Sequence, residues 1–67
     1  MNRYRGRFAT SDGRWVVVTC QAASNADARR IVTRYATIAF GDRFVWPNGQ
    51  HRAVHVWLAK AGDRRAA

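Results

Sequence analysis

Glutamate is absent from this 67-residue chain, and lysine, cysteine and proline occur once each. Each scarcity excludes something. Cys20 has no second thiol to pair with, so no internal disulfide staples the fold, which suits a reducing compartment. The four acids, Asp12, Asp27, Asp42 and Asp63, are scattered, so nothing pairs two carboxylates or sets a nucleophile beside a base. Five dispersed glycines match neither common phosphate-loop pattern. No apolar run approaches the ~20 residues of a membrane span, and the opening Met-Asn-Arg-Tyr-Arg-Gly-Arg has no signal-peptide core. The expectation is a soluble, cytoplasmic, non-enzymatic protein without cofactors.

Metal binding is not expected either. Cys20, His51 and His55 are the only soft or borderline ligands. In a strand the two histidines stand about 13 Å apart, too far to share one ion.

What is present in excess is arginine: eleven, for a formal charge of +8. GC-rich coding can raise arginine over lysine, but it accounts less easily for the shortage of acids. Such a balance attracts phosphate-bearing or acidic partners. The length makes one domain, expected over residues 1–60 with a frayed tail at 61–67, and a core so small that self-association or docking would supply missing burial.

Ser24 to Gly41 reads as the only helix. Ala28, Ile31, Val32, Tyr35, Ala36 and Ala39 follow the helical rhythm of one buried face. Ser24 and Asp27 fit a capping box, and Gly41 fits the residue that ends the helix. Before it, Arg3–Thr10 and Trp15–Gln21 alternate as strands around the Asp12-Gly13 turn. After it, Asp42–Trp46 is expected as a short third strand, Pro47-Asn48-Gly49-Gln50 as a second turn, and His51–Lys60 as a fourth strand. The expected fold is α+β: a mostly antiparallel four-stranded sheet in the order β-β-α-β-β, with one helix packed on one face.

The period of two then sorts the strand residues. The helix is expected to cover Tyr4, Phe8, Val16, Val18, Val54, Val56 and Leu58, with Phe44 or Trp46 closing one end. The open face would carry Arg3, Arg5, Arg7, Trp15, Thr19, Arg43, His55 and Trp57. Guanidinium groups grip phosphate and indoles stack on bases, while the same residue types build protein–protein hot spots. The bland alternative is that Trp15 and Trp57 simply cover a bare sheet under arginine stems. Arg29, Arg30 and Arg34 form a second basic patch on the helix, with like charges at i, i+4 and only Asp27 nearby to compensate.

The two-strand, one-helix, two-strand plan, with Cys20-Gln21-Ala22-Ala23-Ser24 leading into Ala26-Asp27-Ala28-Arg29-Arg30-Ile31, then Phe40-Gly41, Asn48-Gly49 and Trp57-Leu58-Ala59, resembles small anti-CRISPR proteins of phages and mobile elements. The resemblance implies an inhibitor that docks on a type I CRISPR surveillance complex, in the host-cell cytoplasm, and blocks DNA recognition. The basic charge departs from the acidic DNA mimics among such inhibitors. The alternative reading is a nucleic-acid-binding module, for DNA or RNA, that uses the Arg/Trp face; a third is a subunit whose open face forms a homodimer.

Overall fold

The computed structural model describes residues 1–59, so the expected tail at 61–67 lies outside the described residues. The elements are β1 (Asn2–Ala9), β2 (Trp15–Ala22), α1 (Asn25–Phe40), a 3-10 turn (Gly41–Arg43) and β3 (Val54–Leu58). They form a three-stranded antiparallel sheet in the order β2-β1-β3, with the helix packed against it. The arginine-bearing strand is therefore the central one.

The β1–β2 hairpin forms where turn chemistry places it. Gly13 N–H donates to Thr10 O at 3.0 Å, Thr10 N–H donates to Arg14 O at 2.9 Å, and Gly13 takes a φ of 82°. This is a tight turn followed by a left-handed glycine, a geometry that matches the twist of the flanking strands. The Thr10 hydroxyl donates to the Asp12 carboxylate and braces the turn.

The helix begins at its cap. Asp27 N–H, one of the helix's orphan donors, donates to Ser24 Oγ at 3.2 Å, and the Asp27 carboxylate reaches back to accept from Ala23 N–H, just before the cap, at 3.2 Å. At the far end Gly41, at φ 52°, donates its N–H to Thr37 O. The fully buried stripe is narrower than the periodicity predicts: Ala28, Val32 and Ala36 are buried, Ile31 is half-buried, and Tyr35 and Ala39 are exposed. A four-residue step of small side chains lets the helix lie close on the sheet. The closest approach is at Gly6, where an added Cβ would stand 2.6 Å from a Val32 methyl.

Phe8 is the centre of the main core, edge-on to Phe40 and Phe44 with ring centroids at 5.5 and 5.2 Å. Tyr4, Ala22 and Ala28 form a second buried cluster nearer the other end.

The expected third strand is corrected. Gly41–Arg43 continues the helix as a 3-10 turn, and only Val45 pairs, through a single bridge to His51. Phe44 is the reason: wholly buried against Phe8, it turns the backbone inward instead of letting it extend along an edge. The second turn does form, with Gly49 N–H on Trp46 O at 2.9 Å and Trp46 N–H on Gln50 O at 2.7 Å. The expected fourth strand begins at Val54 rather than His51. Phe44 closes the core; Trp46 is 44% exposed. Leu58 is on the helix-covered face by register but 45% exposed.

The two sheet edges are finished differently. Along β3, the Val54 carbonyl accepts from the Arg29 guanidinium and the Val56 carbonyl from the Asn25 amide, so helix side chains cap the edge. Among the described residues, no strand pairs with the outer edge of β2.

Candidate functional site

Alternation on β1 sends Tyr4, Gly6 and Phe8 into the helix interface and Arg3, Arg5 and Arg7 to the opposite face. Register fills in the neighbours. One row reads Thr19, Arg5, Trp57 across the three strands, and the next reads Val17, Arg7, His55. Trp15 stands opposite Ala9, diagonal to Arg7, and the Arg7 guanidinium lies over its ring at 4.1 Å from the centroid. Six of the expected site residues, Arg3, Arg5, Arg7, Trp15, His55 and Trp57, thus share one surface.

Along β1 the arginines step by two residues. Arg3 to Arg7 covers about 14 Å, the rise of about four nucleotides along one duplex strand. No acidic residue lies in β1, β2 or β3. Among the described residues the ion pairs are Arg14–Asp12 and Arg30–Asp27, both away from this face. Among the described residues, no ion pair with a carboxylate compensates the arginines of the open face. At its centre, the Arg5 Nε is buried with no hydrogen-bond partner among the described residues.

The structure does not bring the other expected residues to this surface. Arg43 sits in the 3-10 turn, its guanidinium over the Phe40 ring at 5.5 Å and its carbonyl accepting from Ser11 N–H at 2.8 Å. It left the open face when the third strand was lost. Arg29, Arg30 and Arg34 lie on the helix, in the other layer. Arg29 caps the β3 edge and Arg30 pairs with Asp27 at 2.6 Å, so two of the three have structural work. An open depression of about 730 Å³ runs beside Asn25, Arg29, Thr33, Arg34 and His51.

One pair escaped the sequence reading. In the expected strand His51–Lys60 the period of two puts Arg52 in the same row as Val54 and Val56, yet its guanidinium stacks on the exposed Trp46 ring at 4.9 Å. The signal was available: the turn between them returns the chain so that Trp46 and Gln50 bond, which brings residue 52 back alongside residue 46.

Three titratable groups among the described residues depart from their ordinary values. A hydrogen bond from the Thr10 hydroxyl, foremost, holds the Asp12 carboxyl below the ordinary aspartate value of 3.8. The Arg30 guanidinium, then the Ala23 N–H, do the same for Asp27. Burial, and less so the Asp27 charge, pushes the Cys20 thiol up, making it a poor nucleophile. Among the described residues no group of three or more His, Cys, Asp or Glu side chains could hold a metal ion, and no helix is long and apolar enough to cross a membrane.

No protein-family profile, curated protein or solved structure matches this chain. The functional reading therefore rests on the geometry of the open face.

Proposed function

We propose that this chain is a small non-enzymatic binding module that holds the phosphate backbone of a nucleic acid on its open sheet face. The observation that carries the reading is the central strand: Arg3, Arg5 and Arg7 on one side of β1, with no carboxylate on any strand of the sheet. Phosphate oxygens drawn to this face accept charge-assisted hydrogen bonds from the guanidinium ends of Arg3, Arg5 and Arg7. His55 and Thr19 flank the rows and add short-range donors. One side of Trp15 is already occupied by Arg7, so backbone contact takes precedence over base stacking at that ring.

The test is binding of the full chain to single- and double-stranded oligonucleotides across a salt series. Three neutralised phosphates give a slope of log affinity against log salt of about −2 to −3. Each of Arg3→Ala, Arg5→Ala and Arg7→Ala lowers that slope by about 1 without changing sequence preference. No binding at low salt overturns the reading.

A second reading follows from the two arginine–indole stacks, Arg7 on Trp15 and Arg52 on Trp46, which are the residue types of protein–protein hot spots. In it the chain docks on an acidic surface of a nucleoprotein machine, a type I CRISPR surveillance complex by the resemblance above, and obstructs DNA recognition. Capture from a host lysate that survives moderate salt and nuclease favours this reading; capture abolished by nuclease favours the first.

A further inference from the structure

Among the described residues no strand pairs with the outer edge of β2, and its composition differs from that of the strands around it. In a chain of formal charge +8, the eight residues Trp15–Ala22 carry no charge, no proline and no glycine. Five of them, Trp15, Val16, Val17, Val18 and Thr19, are β-branched or aromatic, the residues that favour strand pairing. Edge strands are ordinarily blunted by charge, proline, a bulge or a covering element. The β3 edge is blunted, by Asn25 and Arg29; the β2 edge is not.

Strand alternation says which groups are on offer. Val54 and Val56 turn their carbonyls to the β3 edge, and Ala59 N–H bonds Arg3 O, so odd-numbered residues of β1 bond β3 and even-numbered ones bond β2. On β2 it is then Val16, Val18 and Cys20 that bond β1, by the register with Phe8, Gly6 and Tyr4. The backbone N–H and C=O groups of Trp15, Val17, Thr19 and Gln21 point outward. Beside them, between β2 and the helix, runs an apolar groove of about 380 Å³ lined by Val18, Cys20, Ile31 and Tyr35. Further along the helix Ile38 is 74% exposed.

We propose that this edge is the interface of a homodimer, in which β2 pairs antiparallel with β2 of a second copy to make one six-stranded sheet. A two-fold axis beside Val18 satisfies the alternation: Val17 meets the Thr19 of the copy and Trp15 meets its Gln21, with their outward backbone groups bonded, while the two Val18 residues face each other as a non-bonded pair. The grooves beside Ile31 and Tyr35 then close against each other, because the axis puts both helices on one side of the sheet. Pairing the strand covers Tyr35 and Ile38, 47% and 74% exposed in one copy, together with the backbone groups of the β2 edge, so the contact joins apolar burial to ladder hydrogen bonds. Electrostatics permit it. The two β1 arginine rows stand three strand spacings apart, about 14 Å, which exceeds the Debye length of about 8 Å at physiological salt. A neutral edge has no reason to prefer a charged partner, and its own copy offers matching side chains and backbone groups. The proposal stands independently of what the open face binds.

Sedimentation of the full chain at micromolar to millimolar concentration tests it. The expected mass is twice 7.6 kDa, and the dimer tightens as salt rises, opposite in sign to phosphate binding. Thr19→Pro removes an outward N–H and leaves the β1 ladder untouched, so it is expected to give a monomer with unchanged circular dichroism. In a Cys20→Ser background, Val18→Cys is expected to form an intermolecular disulfide under mild oxidation, since a non-bonded antiparallel pair has the required Cα separation of about 4.5 Å. Arg30→Cys in the same background, on the helix away from the axis, is expected not to. A monomer at every concentration overturns the proposal. So does a dimer that persists in Thr19→Pro and fails to cross-link through position 18.

Discussion

Arg7 and Phe8 are neighbours in sequence and belong to different problems. Phe8 is wholly buried, gripped by Phe40 and Phe44, and its loss would be felt as unfolding. Arg7 stands on the other side of the same strand, over Trp15, and contributes nothing to the core. One face of β1 is spent on stability and the other is left for a ligand. Both buried clusters lie between the sheet and the helix, so the division is sharp: each β1 residue belongs to one task.

The division breaks most severely at the buried aromatics. Phe8→Ala or Phe44→Ala is expected to cost about 3–5 kcal/mol, comparable to the whole stability of a domain of this size, and chemical denaturation should find the variants largely unfolded. Gly6→Ala comes next. Its Cβ would press on Val32 at 2.6 and 2.9 Å from the two methyls, an overpacking worth about 1–3 kcal/mol. Val32→Ala added to Gly6→Ala should recover part of that loss, and a double-mutant cycle that finds simple additivity would show the contact to be irrelevant.

Ser24→Ala removes the helix cap and is expected to lower stability by about 1 kcal/mol in the same assay. A fourth effect is set by pH. Asp27 and Asp12 are held below 3.8 in the folded chain, so the fold favours their ionised forms. Their contribution is complete above the unfolded value and is lost as pH falls through the lowered folded values. Melting temperature should therefore drop on the acid side, and Asp27→Asn should flatten that drop while lowering stability at neutral pH. The smallest stability effect belongs to the open face. Arg5→Ala and Arg7→Ala should shift melting little while changing the salt slope of nucleic-acid binding. If they unfold the chain instead, the two faces are not separate.

The contrast between the two turns explains what could be read in advance. Thr10–Arg14 and Trp46–Gln50 use the same chemistry, a tight turn ending in a left-handed glycine, with Gly13 at φ 82° and Gly49 at φ 89°. The first joins two eight-residue strands; the second joins residues that share one bridge. Local chemistry specifies that the chain reverses, not how far the strands run beyond the reversal. Strand length was decided by Phe44, whose place against Phe8 depends on residues some 36 positions away in the chain. Arg43 was misplaced for the same reason, since a residue's face is defined only while the strand lasts. The helix and its caps were legible because they depend on neighbours within four residues.

Composition and alternation alone established the basic charge, the helix, the first hairpin and the opposition of Arg3, Arg5 and Arg7 to Tyr4 and Phe8. These are short-range properties, set by capping bonds and by the pleat. Packing decided that β1 is central, that the third predicted strand yields to a buried phenylalanine, and that Arg29 seals one edge while the other has no partner strand among the described residues. Those outcomes depend on which surfaces compete for one small core, and no local pattern encodes that competition.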